Sequence, residues 1–208
     1  MHTRDYISYS QLIMWENSPA EFIQKYFHPD TYVQHTNRGQ SLGKEVADAL
    51  EKDEPTGKLE MDAVIAQIPK MGRRDEKIFV KLSVGKYPKR EFIPILIKPD
   101  MCEVDYTRFI EVKTGSGPWN QKLVDENDQI SFYTAGLYIK TKPIIPTSEL
   151  IWAPTEKRID EDGVERPHLI GNIKRFPTSR TFADILRMHA RMSKAWREIG
   201  EAMEKEII

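Results

Sequence analysis

Hydrophobic and polar positions along this chain follow two periods. Ile78, Val80, Leu82 and Val84 occupy every second position, which predicts a half-buried strand over 78–84. Glycine and polar residues at 85–89 supply turn chemistry, and a second strand over 91–98 returns antiparallel to the first. Pro94 inside that run requires a bulge or an unpaired position, whereas Pro99 suits its end. The apolar runs 92–97 and 109–112 read as neighbouring strands, and 150–153 as a buried strand parallel to the second of them, joined by a right-handed crossover. A further strand is expected over 168–176, after a hairpin-type turn at 160–164.

Helical spacing marks the rest. Ser8 or Ser10 can cap a helix through 11–17, and Ser18-Pro19 breaks it and opens another with proline in the first turn. Phe22, Ile23, Tyr26 and Phe27 recur at helical spacing and read as core rather than as a platform for bases. Residues 28–40 are polar and read as a loop. A helix over 41–54 turns Leu42, Val46, Ala49 and Leu50 inward, and 59–68 is either a short helix or irregular. Asp125 or Asn127 can cap a helix through Lys140. Thr181 caps a last one reaching 206, with Phe182, Ile185, Leu186, His189, Met192, Trp196, Ile199 and Met203 as one stripe. The pattern is α/β (α+β), a mixed sheet flanked by helices, in one domain over 1–208: a helical part at 1–57, a core at 78–155 and a C-terminal strand and helix at 165–208.

Formal net charge is −1, so overall charge announces no nucleic-acid partner. Locally, 70–90 holds Lys70, Arg73, Arg74, Lys77, Lys81, Lys86, Lys89 and Arg90 against Asp75 and Glu76. Such a run either contacts phosphates or forms a solvated rim. The single cysteine, Cys102, excludes an intrachain disulfide and a cysteine-built metal centre. No apolar run is long enough for a bilayer and the first residues carry no signal-peptide core, so a soluble protein of a reducing compartment is expected, with no membrane partner.

The chemistry concentrates at 93–133. In a strand Glu111 and Lys113 share a face while Val112 points into the core. A carboxylate beside an ammonium, with Asp100 on the adjacent strand, suits a divalent metal and a phosphodiester; the alternative is a hairpin with a surface ion pair. Gln129 and Tyr133, four apart, share a helix face, either in the site or as a surface pair. Asp105 reads as a local turn residue.

Taken together, Pro99-Asp100, Glu111-Val112-Lys113 with Thr114-Gly115, and Gln129 to Tyr133 resemble in order and spacing the PD-(D/E)XK nuclease superfamily, in its RecB-like or phage-exonuclease-like branch. The opening Ile7-Ser8-Tyr9-Ser10-Gln11-Leu12 with Ser18-Pro19, and the helix LGKEVADALE, resemble that branch's N-terminal elements. The resemblance implies a restriction-endonuclease-like core with N-terminal helices and a long C-terminal helix. It implies Mg²⁺, with Mn²⁺ able to substitute, held by Asp100, Glu111 and the Val112 carbonyl. Lys113, Gln129 and Tyr133 complete the catalytic set, and Arg73, Arg74, Lys86 and Lys89 contact DNA. Two departures stand out. Ala47 occupies the position where many relatives carry a ligating histidine, so either that ligand is missing or Glu51, one turn on, takes its place directly or through water. Ser18 stands where iron–sulfur members carry cysteine, so no iron–sulfur cluster is expected.

The activity implied is metal-dependent DNA hydrolysis, as an exonuclease of recombination, repair or phage DNA processing. It would act in the cytoplasm of a bacterial or phage-infected cell, with a helicase or recombination protein as candidate partner and the oligomeric state open. The alternatives are a catalytically inactive DNA-binding or assembly module and a structure-specific endonuclease.

Overall fold

The computed structural model describes residues 5–33, 38–85 and 88–206, with backbone alone at 38–41 and 206. Two sheets meet at Pro99-Asp100. The first has three strands in the order β1 (Ile7–Ser8), β4 (Glu91–Ile97), β3 (Ile78–Val84). β3 and β4 are antiparallel with Lys81 opposite Pro94, and β1 runs parallel to β4 against Ile95 and Leu96 only. Pro94 therefore sits in regular register without a bulge, at a point where the other edge of β4 is open.

The second sheet runs β2 (Arg73–Arg74), β5 (Met101–Cys102), β6 (Arg108–Gly115), β7 (Thr147–Ile159), β8 (Glu165–Leu169), with β9 (Lys174–Thr178) also on β7. β6 and β7 are parallel, as expected of the crossover. The runs 92–97 and 109–112 are not neighbours, contrary to the sequence reading. β4 ends at Ile97 and the chain turns into the second sheet, where two-residue β5 supplies the antiparallel partner of β6. The expected strand 168–176 is likewise two strands. Gly171 breaks it with φ 63°, and β8 pairs the far half of β7 while β9 pairs the near half.

Local chemistry sets the helix ends. α1 (Tyr9–Asn17) starts at Ser8, whose N–H and hydroxyl both donate to Gln11 Oε1. α2 (Pro19–Phe27) follows with Pro19 at its first position. α3 (Arg38–Lys52) starts before the expected Ser41, and 59–68 resolves into α4 (Leu59–Ile65) and a turn. The helix expected after Asp125 or Asn127 is preceded by a short one. Asn120 caps α5 (Gln121–Asp125) and Asn127 caps α6 (Asp128–Thr141), each through its side-chain oxygen. α7 (Phe182–Glu206) closes the chain, with Thr181 Oγ1 accepting the Asp184 N–H.

The second sheet lies between two cores. Phe109, Tyr133, Leu150 and Trp152 join α1, α6, α7 and the three-stranded sheet in the larger one. Ile110, Met101, Ile151 and Ala153 join α3 and α4 in the smaller, with Val112 packed against it. α6 approaches β4 so closely that a Cβ on Gly136 would lie 2.3 Å from Ile97 Cδ1. On α7 the buried stripe is Ile185, Met188, Met192 and Ala195, while Phe182 and Leu186 lie to one side of it and are half exposed. His189 is a packing residue whose Nε2 lies 2.9 Å from the Ala135 carbonyl. Among the described residues, no helix is long and apolar enough to cross a membrane.

Candidate active site

The alternation of β6 decides what each side chain meets. Even positions face α3 and α4; odd positions, Glu111 and Lys113 among them, project toward α6. Glu111 is thereby driven into the larger core, where it is 3% exposed. Lys113 Nζ donates to Glu111 Oε1 at 2.7 Å and to Gln129 Oε1 at 2.7 Å. Gln129 Nε2 in turn donates to the Tyr133 hydroxyl at 2.9 Å. The predicted helical pair and the predicted strand pair are thus one hydrogen-bonded chain across the α6–β6 interface.

Asp100 enters from the corner between the sheets. One step beyond the β5–β6 register, where Met101 faces Ile110, Asp100 falls opposite Glu111. Its Oδ2 accepts the Val112 N–H at 2.6 Å, and its own carbonyl accepts the Asp75 N–H at 3.0 Å. The side chain takes over the ladder where β5 has ended. The N–H and C=O of one strand residue lie at the same edge, so the Val112 carbonyl faces this edge as well.

Electrostatics separate this cluster from the ordinary ion pairs of the molecule. Glu149, the other buried glutamate among the described residues, accepts from Arg175 at 2.6 and 2.8 Å and from Arg108 at 3.1 Å. These bonds, Arg175 first, hold its pKa below the usual range. Glu111 has one cation beside it, Lys113, and the weaker influence of the Gln129 amide, while its Oε2 is buried with no hydrogen-bond partner among the described residues. Burial raises its pKa despite Lys113. Asp100 is pushed up to about 8, first by burial and then by the Glu111 charge. Burial opposes the Lys113 charge, but Glu111 and Asp100 outweigh it and the ammonium titrates above its usual value. Burial, then the nearby Glu111 charge, raises Tyr133 well above a free phenol, so it stays protonated.

Two facing carboxylates that resist ionisation together, one with an orphaned buried oxygen, fit a hard divalent cation, whose charge favours their ionised forms. Asp100, Glu111 and the Val112 carbonyl are the oxygens available for it. Glu51 is not brought to them: it is exposed on α3, which packs on the opposite face of β6. No three His, Cys, Asp or Glu side chains form a metal-binding group among the described residues. α3 approaches β6 instead through Gly43, where a Cβ would lie 3.2 Å from Thr114 Oγ1.

The proposed phosphate contacts divide. Arg73 is held by Glu76 at 2.8 Å and stacks on Tyr106, and Arg74 is held by Asp53 and the Leu50 carbonyl, both at 3.1 Å. Lys89 is exposed, and Lys86 lies outside the described residues. Sequence reasoning missed Tyr9, on α1. Its pKa is raised by burial first and then by Asp128, and it senses both Lys113 and Glu111, so its hydroxyl borders the cluster. The signal was its place directly after a capping serine, in the opening Ile7-Ser8-Tyr9-Ser10-Gln11-Leu12 run that resembles the family's first helix.

No family model and no curated protein matches the chain. Among solved structures it is similar to the one described as "Crystal structure of SSO0001", at 12% identity and a TM-score of 0.45, over 93% of this chain and 77% of that one. A likeness at that score carries no argument for the chemistry.

Proposed function

We propose that the chain is a Mg²⁺-dependent nuclease that hydrolyses DNA phosphodiester bonds, working from ends as an exonuclease. One observation supports this above the others: the buried Glu111 carboxylate opposite Asp100, with an oxygen that no donor among the described residues satisfies. A purely structural glutamate would be paired as Glu149 is. Mg²⁺ bound there would act as a Lewis acid on the phosphate and lower the pKa of a water.

The protein's own groups have separate tasks. An ammonium carries three donors, and Lys113 spends two on Glu111 and Gln129. The third is free for an oxygen of the phosphate or of the attacking water, and the charge stabilises the negative charge that builds up in the transition state. With its pKa raised, Lys113 holds its proton and is a poor base. Gln129 fixes the direction of that ammonium, and Tyr133 fixes Gln129. Tyr9 and Tyr133 border the cluster as neutral phenols able to donate to a phosphate oxygen.

A second reading, a binding module without catalysis, is favoured by Ala47 and by the absence of a third acidic or histidine ligand among the described residues. Digestion of end-labelled linear DNA in Mg²⁺ or Mn²⁺ decides. Wild type should degrade it, and Lys113→Ala should be slower by about 10²-fold or more. Resistance of covalently closed circles would mark the exonuclease, and their cleavage the structure-specific endonuclease. If wild type and Lys113→Ala bind DNA but are equally inert, the binding module is correct.

A further inference from the structure

The outer face of the three-stranded sheet carries a pattern that the site does not use. β3 turns Ile78, Val80 and Leu82 inward, toward the core shared with α6, so Phe79, Lys81 and Ser83 face out. Antiparallel register places Lys81 opposite Pro94 and Ser83 opposite Phe92 on that same face. Phe79 is 56% exposed and Phe92 is 60% exposed, a costly display of two rings on one small sheet. Four residues of strand separate Phe79 from Ser83, the partner of Phe92, which is roughly 13 Å. Lys81 stands midway. Tyr6 lies against Phe79, edge to face at 5.6 Å, and extends the aromatic row.

The charge around this row is mainly positive. Lys77, Lys81, Lys89 and Arg90 have no ion pair among the described residues, unlike Arg73 and Arg74 in the same basic run. The only acid on β3 and β4 is Glu91, at the end away from Asp100. Exposed rings alternating with unpaired cations match one polymer: a single strand of nucleic acid, whose bases offer π faces and whose backbone carries the opposite charge. A duplex hides its base faces, and an apolar protein partner would leave Lys81 unpaired at the centre of the contact.

We propose that this face binds single-stranded DNA, with bases stacked on Phe79 and Phe92 and the intervening phosphates on Lys81. From Phe92, β4 runs to Ile97 and the chain goes on into Pro99-Asp100, so DNA held on this face would lie one strand length from the site and could pass on to it. That last link rests on the nuclease reading; the binding itself does not.

The test is fluorescence anisotropy of a labelled oligo-dT with the whole chain in EDTA, so that no cleavage intervenes. Phe79→Ala/Phe92→Ala should weaken binding by about tenfold or more, and Phe79→Trp/Phe92→Trp should restore it. Lys81→Gln should lower the magnitude of the salt slope by about 0.7. Phe79 and Phe92 are more than half exposed, so the alanine variants should stay folded with a melting midpoint only slightly lowered, and the tryptophan variants should melt close to wild type. Wild-type affinity in the double-alanine variant, or an equal loss on a blunt duplex, overturns the proposal. So does light scattering that shows a wild-type dimer and a double-alanine monomer, which would make the face a contact between copies. Binding that behaves as proposed in a chain that never cleaves DNA would leave the platform standing and remove the nuclease reading.

Discussion

Asp100 Oδ2 accepts the Val112 N–H at 2.6 Å, filling the ladder position that β5 vacates. This bond ties a residue at the corner of two sheets to the strand that carries Glu111 and Lys113. It holds two carboxylates opposite each other in a site that opposes their shared ionisation.

That opposition predicts a pH dependence of stability. Folding raises the Asp100 pKa from 3.8 to about 8, and Glu111 moves in the same direction. Between those values the folded chain keeps a proton that the unfolded chain releases, so the contribution of this carboxyl to stability is full below about pH 4 and is lost as pH rises toward 8. Lys113 and Val112 reduce the effect without cancelling it, and Asp75 adds to it. Melts in EDTA should show the midpoint falling across this window. Asp100→Asn should flatten the profile and be the more stable protein at pH 8. An unchanged slope in that variant would remove Asp100 as its source.

Gln129→Ala removes one of the two acceptors that aim Lys113. Cleavage should drop by about 10-fold to 100-fold in kcat with KM little changed, because the loss falls on orientation of a charge used in the transition state. Tyr133→Phe acts one bond further out and should cost less. Steady-state kinetics on a linear substrate compares the two, and an equal or larger loss for Tyr133→Phe would break the proposed order.

Arg180 is 6% exposed and donates to the Val124 and Asn127 carbonyls and to Ser131 Oγ, at 2.7–3.1 Å. It clamps the α5–α6 junction that sets where Gln129 begins. Arg180→Leu strands these acceptors in the interior and should cost about 3 kcal/mol or more. Urea unfolding should show a lower midpoint with an unchanged slope.

Gly136→Ala places a methyl group against Ile97, and overpacking of about 1–3 kcal/mol should exceed the helix-propensity gain of about 1 kcal/mol. Gly200→Ala, on α7 with nothing within 4 Å of the added atom, should be neutral or mildly stabilising. Paired thermal melts of the two variants read the sign directly.

The parts of the site that were legible in sequence are those set by a local period. Strand alternation put Glu111 and Lys113 on one face, helical spacing put Gln129 and Tyr133 on another, and the two faces meet. The apolar content of 150–153 likewise gave the parallel partner of β6. What failed depends on contacts distant in sequence. Nothing local shows that β4 and β6 belong to different sheets, because the deciding strand, Met101–Cys102, is two residues long. The break at Gly171 is visible only as a glycine inside an otherwise strand-like run. Leu186 has the spacing of a core residue but lies to one side of the buried stripe of Ile185, Met188, Met192 and Ala195. Arg180 gains its importance only when the segment before α7 meets the α5–α6 junction, Tyr9 only when α1 meets the site, and the outward row of Phe79, Lys81 and Phe92 only when β3 pairs with β4.

The shared cation is the centre of the account, and Mn²⁺ binding measures it without any substrate. Loss of the free-ion paramagnetic signal on adding wild-type protein at pH 8 should report bound Mn²⁺, competed away by excess Mg²⁺. Asp100→Asn and Glu111→Gln, each folded by circular dichroism, should leave the signal close to that of buffer. Equal uptake by wild type and both variants, or no uptake by wild type, would contradict the claim that these two carboxylates hold a divalent ion between them.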